Sequence, residues 1–114
     1  MEIVKGLSQK ANVTQEDLIV PTFLNNWVAH TAPIGYYKDT LGFVHLQGAV
    51  SSGTTTTSIF VLPVGYRPVN TRRFINYDDV GPGRVNIEAT GDVNNPGGAV
   101  TWVSLDGISF YAGR

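Results

Sequence analysis

The sequence predicts an all-β domain, an antiparallel β-sandwich or jelly-roll-like fold behind a short N-terminal stem, on three observations. Fourteen valines and eleven threonines suit a pleated, half-buried surface. Thirteen glycines, six prolines and eight asparagines interrupt the chain too often for long helices. Short apolar runs recur about every ten residues between turn signals, the rhythm of a sandwich rather than of alternating strands and helices.

The elements follow in chain order. Residues 1–20 read as a stem or linker and 21–114 as the β domain. Ile3, Val4 and Leu7 lie three and four apart, and Thr14 to Asp17 has the form of a capping box, which leaves a short helix open there until Pro21 stops it. Thr22 to His30 reads as a first strand, with Asn25-Asn26 allowing a bulge or turn inside it, and Gly35 to Lys38 as a short second one. After the turn Asp39 to Gly42, the run Phe43 to Val50 has the clearest period of two, with Val44, Leu46, Gly48 and Val50 on one face. The polar stretch Ser51 to Thr55 reads as a hairpin loop that returns the chain through Thr56 to Leu62 against Phe43 to Val50. Pro63 and Pro68 then break the sheet, since proline cannot donate to a ladder. Thr71 to Tyr77 is the next strand, Asp78 to Gly83 a loop, and Arg84 to Ala89 a strand with Val85, Ile87 and Ala89 inward, which Asp92-Val93 extends. Asn94 to Gly98 is the strongest turn, and Asp106-Gly107 joins Val100–Leu105 to Ile108–Ala112 as a terminal hairpin.

Charge and composition narrow the function. Eight basic against nine acidic residues leave a net charge of -1, too little field to gather nucleic acid or to press the chain onto an anionic membrane. No apolar run approaches the roughly 18 residues of a membrane helix, and no basic segment leads into an apolar stretch as in an export signal. The chain has no cysteine, hence no disulfide, thiolate metal site or cysteine nucleophile.

A string of words in the second part of the chain carries a family resemblance. It runs Trp27; Tyr37-Lys38-Asp39; Gly42-Phe43-Val44-His45-Leu46-Gln47-Gly48; Ile59-Phe60-Val61-Leu62-Pro63-Val64-Gly65-Tyr66-Arg67-Pro68; and Trp102-Val103-Ser104-Leu105-Asp106-Gly107-Ile108-Ser109-Phe110. In these words the sequence resembles the C-terminal head modules of bacteriophage tail-fibre and baseplate receptor-binding proteins. Ser8 to Thr14 is similar to the stem that precedes such heads. The resemblance implies a β-sandwich head, a homotrimer, placed in the virion at the tail tip or baseplate. Its implied partners are a host cell-surface polysaccharide and, through the stem, other phage tail proteins. A sandwich this small buries a modest share of its surface alone, so trimerisation would add stability. The shared words are structural and carry no ligand contacts.

Candidate sites are weighed residue by residue. Tyr66 and Arg67, held between prolines, read as a packed ring and a guanidinium paired with a carboxylate. Of Arg72 and Arg73, which point to opposite faces, one is expected to meet Asp78, Asp79 or Glu88 in a surface ion pair. Asp78-Asp79 before Gly81-Pro82-Gly83 matches no EF-hand spacing and supplies too few oxygens for calcium. Gly81-x-Gly83 lacks the third glycine of a dinucleotide loop. His45 reads as a hydrogen-bonded, half-buried side chain rather than a zinc ligand on a three-fold axis. Ser104 and Ser109 lack the setting of a nucleophilic serine, and no carboxylate pair is placed for glycoside hydrolysis, so neither catalysis nor a cofactor is expected. Aromatic rings beside polar loops are the strongest binding cue, because a ring stacks on a sugar face while Asn and Asp take hydroxyls. Trp27 and Trp102 belong to the structural words. Tyr77, Asp78, Asp79, Asn94 and Asn95 are therefore the candidate ligand residues. They face one end of the domain only if Arg84 to Val93 makes two passes. The reading that follows is a receptor-binding head, with a structural trimerisation cap or baseplate module as the alternative.

Overall fold

A computed structural model describes residues 14–54, 56–97 and 101–113. Eight strands form, β1 Val28–Lys38, β2 Phe43–Ser51, β3 Ser58–Val61, β4 Arg72–Asp78, β5 Gly81–Ile87, β6 Asp92–Asn94, β7 Trp102–Ser104 and β8 Ser109–Tyr111, and no helix occurs among the described residues. All pair antiparallel in one sheet, in the order β1-β2-β7-β4-β5-β6-β3, with β8 also on β2. The sheet curls into a half-barrel whose two end strands meet through side chains rather than a ladder. Tyr36 of β1 stacks on Phe60 of β3, the centroids 6.0 Å apart, and Phe23 meets Phe60 edge-on at 6.3 Å. The inner face of this curl is the core, with Trp27, Val44, Val50, Ile59, Leu62, Val85, Ile87, Val93, Val103 and Leu105 all buried.

The alternation in Phe43 to Val50 is realised: Val44, Leu46, Gly48 and Val50 are buried, while Phe43, His45 and Gln47 are not, and Ala49 on that second face is covered as well. The pairing of β2 differs from the expected one. Its outer edge carries two short strands in series, β7 on Ala49–Ser51 and β8 on Phe43–His45. The segment after Asp106-Gly107 thus continues along β2 instead of folding back on β7. β3 does not return along β2 either; it pairs with β6 at the far side of the sheet. Thr22 to His30 and Gly35 to Lys38 are parts of a single arrangement, a long β1 that starts at Val28 after a turn at Asn25-Asn26 and slips register twice against β2. The expected loop Asp78 to Gly83 is a tight turn from which β5 already starts at Gly81. Ala89 is exposed in the turn that joins β5 to β6. The covered face of β5 ends at Ile87, because the chain must turn to pair β6 with β5.

Thr14 to Asp17 caps no helix. Residues 14–19 run extended along β1: Gln15 Nε2 donates to the Lys38 carbonyl at 2.8 Å, the Lys38 N–H to Glu16 Oε2 at 3.1 Å, and Ile19 exchanges two backbone bonds with Tyr36. The Tyr66 hydroxyl lies 2.8 and 2.9 Å from the two Glu16 carboxylate oxygens, and the Lys38 ammonium sits over the Tyr66 ring at 4.7 Å. That hydrogen bond, with desolvation behind it, pushes the Tyr66 phenol above its ordinary pKa. Tyr66 is thus a packed ring as expected. Arg67 finds a carbonyl rather than a carboxylate, its Nε donating to Leu62 at 2.7 Å. The helical spacing of Ile3, Val4 and Leu7 and the stem word Ser8 to Val13 lie outside the described residues.

Two glycines separate strain from space. Gly48 has φ +89°, and a Cβ there would stand 2.8 Å from the Ile34 Cα and from the Thr31 carbonyl oxygen. Gly65, between the prolines, has φ +97° and only the end of Lys38 at 4.0 Å. Gly65→Val should therefore cost the left-handed strain alone, about 1–2 kcal/mol, whereas Gly48→Ala adds an overlap with backbone that cannot move independently. Thermal melts should place Gly48→Ala well below Gly65→Val; equal melting temperatures would show that β1 yields.

Candidate functional site

The site forms where the sheet is incomplete. β4 and β7 share only the pair Asp78↔Val103, after which the chain leaves β7 and crosses to β8 through Leu105 to Ile108. The crossing is anchored on Gly48: its N–H donates to Asp106 Oδ1 at 2.7 Å and its carbonyl accepts from Leu105 N at 2.8 Å. Asn76 bridges the resulting gap by donating from Nδ2 to the carbonyls of Ser104, at 2.8 Å, and Asp106, at 3.1 Å. A side-chain amide stands there in place of ladder bonds, which keeps the backbone groups satisfied while leaving an opening.

That opening is a cleft of about 350 Å³ lined by Ile75, Asn76, Tyr77, Pro82, Ser104 and Asp106. A second concavity of about 400 Å³ continues it past Tyr77, Ser104 and Asp106 to His30, Thr31, Ala49 and Trp102. Tyr77 is the wall between them and is 69% exposed. Trp102 stacks on His30 with centroids 5.9 Å apart and planes 1° from parallel, which presents a flat aromatic surface at the far end. An exposed ring, a second aromatic platform and the polar groups of Ser104 and Asp106 are the ingredients of a site that takes a polyhydroxylated ligand.

Of the sequence-predicted residues only Tyr77 lines this cleft; Asp78, Asp79, Asn94 and Asn95 line neither concavity. Asp78 is only 7% exposed; its Oδ1 accepts from Val80 N at 2.8 Å and fixes the β4–β5 turn that carries Tyr77. Asp79 is exposed and accepts from Thr101 N at 2.9 Å and Thr101 Oγ1 at 2.7 Å, tying that turn to the start of β7. Asn94 is nearly buried and donates to Glu88 Oε2 at 2.8 Å and Asp92 Oδ2 at 3.0 Å. Asn95, fully buried, donates to the Arg84 carbonyl at 2.7 Å. The segment Arg84 to Val93 does make two passes, β5 and then β6. Ile75, Asn76, Ser104 and Asp106 are not among the sequence-predicted residues, and Trp102, Ser104 and Asp106 come from a word read as structural; the strand alternation that puts Ile75 on the same face as Tyr77 was the available signal.

His45 sits elsewhere on the outer surface. Its Nε2 lies 2.8 Å from Asp39 Oδ2, its Nδ1 lies 2.7 Å from Ser109 Oγ, and its ring stacks on Tyr37 at 5.0 Å. Asp39 Oδ1 meanwhile accepts from Leu41 N and Phe43 N, so the three side chains fasten the β1–β2 turn to β8. The hydrogen bond to His45 leads the causes that hold the Asp39 carboxyl below its ordinary range.

No family model and no curated protein matches the chain. Among solved structures it is similar to the crystal structure of the receptor binding protein (gp15) of Listeria phage PSA, with a TM-score of 0.81 and 16% identity over 99% of this chain and 75% of that one. At that identity the likeness establishes a shared fold.

Asp79 supplies a pH test of how the turn is held. The Thr101 hydroxyl bond, foremost, holds its carboxyl below the ordinary carboxylate pKa. A folded pKa lowered in this way contributes stability that is complete above the unfolded value, about 3.9, and is lost as pH falls from there through the folded value. Asp79→Asn should therefore melt lower than the parent at pH 7, with the difference closing as pH drops below about 4. A difference that stays constant down to pH 2 would mean that the Asp79 carboxylate is not what holds Thr101.

Proposed function

We propose that this chain is a receptor-binding head of a bacteriophage tail, attaching the virion to a host cell-surface saccharide or teichoic-acid-type polymer. The fold shared with a phage receptor binding protein carries this reading. The aromatic cleft beside Tyr77 supports it from the chain's own chemistry. In this reading Tyr77 stacks on a sugar ring, Ser104 and Asp106 take its hydroxyls, and Asp79 steadies the turn. Asp78, Asn94 and Asn95 act as supports of the binding surface. Residues 1–20 form the stem toward other tail proteins and 21–114 the head, at the tail tip or baseplate, with residues 14–19 as the fastening between the two.

The role is adhesion, and a homotrimer suits it, because three weak sites on one particle give firm attachment to a repeating polymer. Light scattering at micromolar concentration should return the mass of three chains. A single-chain mass would remove the multivalent part of the reading.

A glycan array probed with the whole chain tests the site. Tyr77→Ala should keep its melting temperature, since the ring is exposed, and lose roughly tenfold or more in binding, the weight of one stacked ring in a small site. Unchanged binding by a folded Tyr77→Ala would place the receptor surface elsewhere or reduce the domain to a structural cap.

A further inference from the structure

One of Arg72 and Arg73 is expected to meet a carboxylate. Neither does: among the described residues the only pair within salt-bridge distance is His45 with Asp39. Arg84, on the strand next to Arg73, is exposed as well and, among the described residues, also without a side-chain partner. The ladder sets Arg73 opposite Asn86 and Arg84 opposite Ile75. On β4 the exposed side is Arg73, Ile75 and Tyr77, and on β5 it is Pro82 and Arg84 with half-buried Asn86 beside them. The two arginines are therefore diagonal neighbours on one face, about 7 Å apart at their bases. Neither guanidinium is given a partner by the fold among the described residues. Arg67 shows the contrast, its guanidinium committed to a backbone carbonyl. Asn86, between the arginines, has a buried side-chain oxygen with no donor, so the polar network on this face is one donor short.

We propose that Arg73 and Arg84 form a binding site for an anionic group, a phosphodiester or a uronate carboxylate, carried on the same polymer that enters the Tyr77 cleft. The inference rests on the receptor-head reading and adds the charge of its ligand. The face is continuous: Arg73 with Asn86, then Ile75 with Arg84, then Tyr77 with Pro82 at the mouth of the cleft. Arg73 and Tyr77 are four residue steps apart along the strand, about 13 Å, so a chain of a few sugar or polyol units would reach from the ring to both guanidinium groups. Guanidinium is suited to this, because its planar fork bonds a phosphate or carboxylate through two parallel N–H donors.

The test measures binding of the whole chain to poly(glycerol phosphate), to polygalacturonate and to neutral dextran over a range of salt concentrations. It uses the parent, Arg73→Gln/Arg84→Gln and Arg73→Lys/Arg84→Lys. The parent should bind one of the two polyanions better than dextran, less so as salt rises, and the one it prefers identifies the anion. The glutamine pair should lose roughly tenfold or more, with the lysine pair in between, at unchanged melting temperature and assembly mass. No preference for either polyanion, or equal binding by the folded glutamine pair, overturns the proposal. So does a changed assembly mass, which would assign the arginines to a contact between copies. Tyr77-dependent binding to a neutral glycan alone would overturn this inference and leave the receptor-head reading standing. Absence of any glycan binding would end both.

Discussion

The backbone at Gly48 is the constraint on which the rest of the sheet depends. β1 crosses so close to β2 there that no side chain fits, and the residue takes a left-handed conformation. Its N–H and carbonyl turn away from a regular ladder and are taken by Asp106 and Leu105. The strand that follows β2 on its outer edge is split in two as a result, β7 before the crossing and β8 after it. The crossing draws the chain away from β4, and the cleft beside Tyr77 is the space left behind. One position without a Cβ thus links the closest packing in the sheet to its most open surface.

Local patterns were legible in the sequence wherever a single strand or turn decides them. The alternation of Val44, Leu46, Gly48 and Val50 needs only a core on one side, and the proline-flanked Gly65 turn needs only its own backbone. What stayed hidden was partnership. Asp106-Gly107 between two apolar runs looks like a hairpin turn, and only the competition of β2 for both flanking segments decides otherwise. β3 and β6 are more than thirty residues apart, and nothing in Ser58 to Val61 announces Asp92 to Asn94 as its neighbour. The candidate site divides the same way. Tyr77 is readable as an aromatic that the core does not need. Asn94 and Asn95 carry turn chemistry, yet they are covered because β6 folds back on β5 and brings them inside.

The fold also sets the fastened N-terminal segment and the Tyr77 cleft on different strands of the sheet. In the order of the sheet, β1 and β3 are the two ends and β4 lies at the centre. The segment around Glu16 and Ile19 fastens to the end strand β1 and to Tyr66, whereas the exposed ring of Tyr77 projects from the middle. Gln15, Glu16 and Ile19 run along β1 in the antiparallel sense and hold it through backbone and side-chain hydrogen bonds. The seam where Tyr36 meets Phe60 is spanned by residues 19–25, which bond to β1 through Ile19 and Tyr36 and to β3 through Leu24 N on the Ile59 carbonyl and Asn25 Nδ2 on the Ser58 carbonyl. The segment that leads into the sheet is therefore also the strap that closes it, while the β4–β5 face that carries Tyr77 is held by its own ladder at the centre.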